Sequence, residues 1–145
     1  MSVWFEGSNE IECDIRDVRE ALEDPGTFLA GVVGRMPGIT NVELVDQGAD
    51  FVTIKTNEGV MKRTNIFKRF DAGGVAVELD EEYQAGSKIT TTGHFSEQYT
   101  VGDGVTHRLV ISDVSAPGFL GFFYRKFGSA RTGNAFLKAS KDHLE

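Results

Sequence analysis

The segment that decides the fold is GFLGFFYRKFGSARTGNAFLK, which runs from Gly118 to Lys138. Its apolar residues recur at helical spacing and predict a long amphipathic helix. Glycine costs a helix interior about 0.5–1 kcal/mol relative to alanine, yet Gly121, Gly128 and Gly133 all lie in this segment. The apolar stripe comprises Phe119, Leu120, Phe123, Phe127, Ala130 and Leu137.

Two explanations for the glycines stay open. Small residues can let the helix backbone pack closely against a sheet, or they can leave room for a ligand beneath the helix. We interpret the segment as a helix that lies across a curved sheet, with a pocket below it. Asn134 interrupts the stripe, and a buried amide needs hydrogen-bond partners, so a ligand, a water or a strand could contact it. Phe122 and Phe136 fall outside the stripe.

The residues before this helix predict one strand and two short helices. The segment VWFEGSNEIEC (3–13) is the first strand. Asp14 can cap a helix that follows it. The pair DP (24–25) ends that helix and can begin a second one, with aspartate as the cap and proline at the first helical position. PG (37–38) ends the second helix.

Residues 39–115 contain six segments rich in Val, Ile, Thr and Phe. Short turns separate them, so neighbouring strands should pair antiparallel. The complete order is strand, two helices, six strands and a long helix. This order predicts an α+β fold in which a curved antiparallel sheet of about seven strands wraps around the C-terminal helix, an arrangement that resembles the known helix-grip fold. The turns are QGAD (47–50), NEG (57–59), DAGG (71–74), AGS (85–87) and GDG (102–104).

A two-residue turn at AG (72–73) would fix the register of the meander, because a slip of one residue turns every side chain to the other face. The predicted register depends most on the length of the AGS turn, since a two-residue loop there would turn His94 inward. The predicted pairs are Phe70–Val75, Ile66–Leu79 and Lys62–Tyr83 on the apolar face, and Arg63–Glu82 on the other.

The same register places several ionisable residues on the inward face: Lys62, Glu81, Glu97, His107 and Asp113. Buried charges are costly unless they are paired. Lys62 would lie diagonal to Glu81, and Glu97 diagonal to His107, within pairing distance. These residues either lie solvated at the open ends of the sheet or orient a mainly apolar ligand. Glu97 and His107 are also weak candidates for an acid/base pair.

Two short phrases, VREALEDP (18–25) and MPGI (36–39), together with the element order, resemble the START and birch-pollen-allergen-like superfamily. This superfamily, also called SRPBCC, includes the polyketide cyclase/dehydrase-like proteins. Its members commonly show a Val-Trp-x-x-Leu-x-Asp-Pro phrase, followed by Pro-Gly before the second strand. Arg19 stands here in place of the usual tryptophan.

The resemblance implies a cavity for a small hydrophobic molecule between the helix and the concave face of the sheet. It implies no shared catalytic residues, because the superfamily includes carriers, sensors and some enzymes. The residues expected to contact the ligand are Ile54, Ile66, Leu79, Glu81, Tyr83, Phe95, Tyr99, Leu109, Ile111, Phe123, Phe127 and Asn134.

Three functions remain open at this point. The first is a carrier or sensor of a lipid-like or polyketide-like molecule. The second is a polyketide cyclase or dehydratase type of enzyme, in which Glu81, Glu97, His107 or Asp113 would move protons. The third is an interaction module that contacts a protein or a membrane surface through GFLGFFYRKFG (118–128).

Composition narrows the class of protein. The 145 residues suit a single domain, 1–145. The formal charge of −7 disfavours nucleic acid as a partner. A lone cysteine, Cys13, excludes an intramolecular disulfide, and the start of the chain resembles no secretion signal, so we expect a cytoplasmic protein. We expect no cofactor and no metal, because Cys13, His94, His107 and His143 lack ligand spacing.

Overall fold

The computed structural model describes residues 2–85, 89–115 and 128–145, which form one antiparallel sheet and three helices. The sheet has the strand order β1-β7-β6-β5-β4-β3-β2. The predicted element order and the helix-grip class are therefore confirmed. The strands are β1 (Val3–Ile11), β2 (Val42–Gln47), β3 (Val52–Thr56), β4 (Gly59–Asp71), β5 (Gly74–Ala85), β6 (Ile89–Val101) and β7 (Val105–Ser115), and the helices are α1 (Ile15–Glu23), α2 (Pro25–Gly34) and α3 (Ser129–Leu144).

The two short helices begin as their sequences predict. The Asp14 carboxylate accepts a hydrogen bond from the backbone N–H of Arg16, and the Asp17 side chain accepts one from the N–H of Asp14, which completes a capping box. Asp24 caps α2, and Pro25 occupies its first turn. Local hydrogen bonding therefore fixes where both helices start.

The buried face of α3 includes Leu137 of the predicted stripe but differs from that stripe at its other described positions. Residues 116–127 lie outside the described part of the chain, so the predicted positions Phe119, Leu120, Phe122, Phe123 and Phe127 do too. Buried positions recur at i, i+3, i+4 and i+7, and successive helical residues are about 100° apart. Asn134 lies off this face and is exposed, so the expectation that it is buried is wrong, and Ala130 in the first turn is exposed as well. The buried residues of α3 are Gly133, Phe136, Leu137, Ala139 and Ser140.

Gly133 is a packing contact between α3 and β1. A Cβ built there would lie 2.3 Å from atoms of the Phe5 ring. The amide of Asn9 also donates a hydrogen bond of 3.1 Å to the carbonyl of Leu137. For Gly133, close approach is therefore the correct explanation of the two that the sequence left open.

A bulge in β4 changes the predicted register of the meander. Phe70 pairs with Val75 as predicted, but the register shifts between Thr64 and Phe67, where Asn65 has a φ of 54°. The extra residue interrupts the predicted Ile66–Leu79 pair and makes the Lys62–Tyr83 and Arg63–Glu82 pairs wrong. The observed pairs beyond the bulge are Met61–Tyr83, Lys62–Glu82 and Arg63–Glu81. Arg63 therefore points inward, and Lys62 is exposed.

A second bulge lies in β7 at Asp113, whose φ is 55°. Its N–H donates to the carbonyl of Ser2, and its carboxylate accepts a hydrogen bond of 3.0 Å from the N–H of Ser2. Asp113 is therefore exposed, and its predicted inward position is wrong. The register across the AGS turn is as predicted, since Leu79 pairs with Phe95 and His94 pairs with Asp80 on the outer face.

Candidate ligand-binding interior

An ion pair lies among the apolar side chains of the concave face. The Nη2 of Arg63 is 2.9 Å from Oε2 of Glu81, and the side chains are only 9% and 11% exposed. Arg63 Nε also donates to the same oxygen at 3.1 Å. The guanidinium carbon lies 4.7 Å from the centre of the Phe95 ring and 5.6 Å from that of Phe136. Both distances suit a cation–π contact.

A second polar pair joins β6 to β7. His107 Nε2 lies 2.8 Å from Oε1 of Glu97, and the His107 side chain has no exposed surface. The Tyr99 ring stacks on the His107 ring with centres 4.3 Å apart, and its hydroxyl donates to Glu97 Oε1 at 3.4 Å. The predicted diagonal contact between Glu97 and His107 is confirmed.

The two carboxylates have opposite pKa shifts. Burial raises the pKa of Glu81, although the charge and hydrogen bonds of Arg63 oppose this. Burial also opposes ionisation of Glu97, but the hydrogen bond and charge of His107, followed by the charge of Arg63, outweigh it and lower its pKa. Burial raises the pKa of Tyr99 well above its usual value, so its hydroxyl keeps its proton. The interior therefore holds one carboxylate whose pKa is raised and one whose pKa is lowered.

Two small cavities adjoin this polar cluster. One of about 30 Å³ lies beneath the start of α3, between Glu81, Phe95, Thr132 and Phe136. Another of about 30 Å³ lies beneath α2 and is lined by Arg63, Glu97 and mainly apolar side chains. One water molecule needs about 10–15 Å³ of such a cavity. Each cavity therefore has room for about two waters, and a larger ligand needs side chains to move.

No protein-family model and no curated protein matches this sequence, but solved structures match the fold. A fragment of a STAR-related lipid transfer protein from Xanthomonas axonopodis gives a TM-score of 0.59 at 17% identity, covering 96% of this chain and 84% of that one. An uncharacterised Rhizobium leguminosarum protein gives 0.71 at 8%, covering 97% and 92%. An aromatase/cyclase from Streptomyces sp. R1128 gives 0.51 at 13%, covering 97% and 92%. The chain has a START-like helix-grip fold.

At these identities the START-like resemblance shows the fold alone. Within that fold, most residues expected to contact a ligand lie in the interior. Ile66 and Tyr83 are partly buried, and Asn134 is exposed. Phe123 and Phe127 lie outside the described residues. For the residues that are buried in the structure, contact with a ligand stays a prediction. These residues are Ile54, Leu79, Phe95, Tyr99, Leu109 and Ile111.

Arg63 and Phe136 lie in the interior, although the sequence predicts both to lie outside it. The predicted register places Arg63 on the outer face because it does not include the bulge at Asn65. The available signal was the asparagine itself, since asparagine adopts positive φ more readily than most residues. Phe136 was placed outside the stripe because the helical phase was set from residues nearer Gly118.

Two further polar residues named in the sequence analysis lie outside the interior. Asp113 and His94 line an open outer groove of about 380 Å³ rather than the interior. In residues 2–85, 89–115 and 128–145, no group of three or more His, Cys, Asp or Glu could hold a metal ion. Over the same ranges, no helix is both long and apolar enough to cross a membrane.

Proposed function

We propose that the protein binds a small, mainly apolar molecule between α3 and the concave face of the sheet, as a carrier or a sensor. The Arg63–Glu81 pair carries this proposal. Burying two charges costs several kcal/mol per ion before pairing, and apolar substitutes of similar volume are often as stable. A few polar groups in an apolar interior are what a small-molecule site uses to orient its ligand.

Apolar burial would supply most of the affinity, at about 25 cal/mol per Å² removed from water. Arg63 and Glu81 would hold the polar end of the ligand near the first cavity, and Glu97 would face the second. The fold also supports the proposal, because one structural neighbour is a STAR-related lipid transfer protein.

Native mass spectrometry of the purified protein tests this function. We expect a bound species that survives gentle ionisation and is lost on denaturation. The double variant Arg63→Met/Glu81→Leu should lose ligands that carry a polar group, whereas Arg69→Met, at an exposed position of the same strand, should retain them. A wild-type protein that carries nothing, and takes up no lipid or polyketide added in excess, would contradict the proposal.

A second candidate function is proton transfer to a polyketide-like substrate, and the Glu97–His107 contact of 2.8 Å favours it. Glu97 would be the base that meets the substrate, because its lowered pKa keeps it ionised and because His107 has no exposed surface. His107 would then position Glu97.

Incubation with linear polyketide analogues, followed by mass analysis of cyclised or dehydrated products, tests the enzyme. We expect Glu97→Gln to abolish turnover while the fold and binding persist. Glu78→Gln, at an exposed position on β5, is the matched control and should remain active. Turnover that is unchanged in Glu97→Gln would remove this candidate.

A further inference from the structure

Three side chains that contact one another line the two interior cavities. Phe136 and Phe95 line the cavity beneath the start of α3, and Arg63 lines the cavity beneath α2. The guanidinium of Arg63 lies over both rings, 4.7 Å from the centre of Phe95 and 5.6 Å from that of Phe136. The two rings meet edge to face with centres 5.3 Å apart. We call these three side chains the interior wall.

The members of the interior wall are held to different degrees. Arg63 is fixed by its ion pair with Glu81, in which Nη2 lies 2.9 Å from the carboxylate oxygen Oε2 and Nε donates a hydrogen bond of 3.1 Å to the same oxygen. Phe95 lies on β6, in the middle of the sheet, with paired strands on both sides. Phe136 stands on α3 and meets the other two members of the wall through its ring, without a hydrogen bond or an ion pair to either. Its ring is therefore the member that can turn away at least cost.

We infer that the Phe136 ring is a movable partition: a ligand displaces it, and the two cavities then join into one binding space. This inference rests on the proposed function. Each cavity alone, at about 30 Å³, admits only molecules of water size. Displacing the ring brings the Glu81 and Glu97 compartments together. Residue 136 thus sets the size of the ligand that the interior accepts.

Fluorescence titration with N-phenyl-1-naphthylamine tests the partition. This neutral apolar probe has three aromatic rings and exceeds the volume of one removed phenyl ring, so it fits only if the vacated space connects the cavities. Phe136→Ala should bind it about tenfold more tightly than wild type, because the cost of moving the ring out of its rotamer and contacts is gone. Phe136→Trp should bind more weakly than wild type.

The matched control is Leu137→Ala. Leu137 is the next residue of α3 and is similarly buried, 4% exposed against 6% for Phe136. Its side chain lies beside Gly7 of β1 and lines neither of the two cavities. We expect its probe affinity to equal that of wild type. Thermal melting precedes each titration, and Phe136→Leu replaces Phe136→Ala if the alanine variant is unfolded.

The outcomes separate the partition from the proposed function. If wild type binds and Phe136→Ala binds no more tightly, the partition is wrong and the proposed function stands. An equal gain in Leu137→Ala also overturns the partition, since loosened packing then explains it. If Phe136→Ala binds the probe and wild type does not, the partition is supported. The same result contradicts the proposal that the wild-type interior accepts a ligand as large as the probe. If neither wild type nor any variant binds the probe, both the partition and the proposed function are contradicted.

Discussion

The Arg63 guanidinium has a complete set of neighbours in the interior. Glu81 supplies the compensating charge, and the rings of Phe95 and Phe136 lie within cation–π distance of the guanidinium. The stability of the buried cation depends on these neighbours, because water cannot solvate an unpaired charge at a site with so little exposure.

Removing one partner of this pair should therefore cost far more than removing both. We expect Arg63→Met to lower the free energy of unfolding by about 3 kcal/mol, because it leaves Glu81 buried without its partner. Arg63→Met/Glu81→Leu should recover most of that loss. Urea unfolding measures both changes.

The control for this prediction is the adjacent residue. Lys62 is exposed, so Lys62→Met should change the free energy of unfolding by no more than about 0.5 kcal/mol. If Lys62→Met costs as much as Arg63→Met, then Lys62 is the inward cation and the bulge at Asn65 is misplaced.

His143 predicts a dependence of stability on pH. Its ring packs against Gly31 and meets the Phe28 ring edge to face at 5.5 Å. Burial, and then the charge of Arg35, lower its pKa below the usual value of about 6.5. Near that pH the unfolded chain thus binds more protons than the folded one, so the contribution of His143 to stability falls as the pH drops from 7 towards 5.

His143→Leu, which cannot titrate, should lose less stability than wild type over this range. Urea unfolding at several pH values between 7 and 5 measures the difference. His94→Gln is the control, because the His94 side chain is one third exposed and pairs with Asp80 on the outer face. Parallel pH profiles for wild type and His143→Leu would show that His143 does not contribute.

Single residues also explain which part of the interior could be predicted. The alternation of β6 and β7 placed Phe95, Glu97 and His107 correctly, because those strands are regular from their shared turn inward. Asn65 and Asp113 each insert one residue with positive φ into a strand. Alternation alone contains no signal for such an insertion, so Arg63 was missed and Asp113 was misassigned.

At the scale of elements, α3 is docked through the contact between Gly133 and Phe5. The order of elements was predictable, since proline, glycine and capping aspartates mark the ends of the helices and the turns of the meander. The face that α3 buries was not, because its helical phase depends on contacts with β1 that lie far away in sequence. Close approach at Gly133 is one such contact.

Gly133→Ala should lower the free energy of unfolding by about 1–3 kcal/mol, because the new methyl group overlaps the Phe5 ring near its attachment to the chain. This loss exceeds the gain of about 1 kcal/mol in helix propensity. The control is Gly34→Ala at the end of α2, where a Cβ would lie at an ordinary contact distance of 3.6 Å from Cγ2 of Val42. That variant should be neutral or slightly more stable, and destabilisation by both substitutions alike would show that the Phe5 contact is not the cause.

At the scale of the whole molecule, the described parts of the sheet and the helices enclose paired charges and two cavities of about 30 Å³ each. A START-like fold whose two interior cavities hold about 30 Å³ each must open to accept a ligand of lipid size. Binding and stability are then linked, because a ligand that binds the folded chain alone raises its free energy of unfolding.

Stripping the ligand should consequently destabilise the protein. Material refolded from denaturant after extraction with organic solvent should melt at a lower temperature than the protein as purified. Adding the extract back should restore the melting temperature in a dose-dependent way, by about 2.7 kcal/mol of stability when the ligand is present at 100 times its dissociation constant. Arg63→Met/Glu81→Leu should gain less from the same extract, because it lacks the charges that hold the polar end of the ligand. Identical melting of stripped and purified wild type, with no response to the extract, would mean that the interior is closed to ligands and that its charges serve the fold alone.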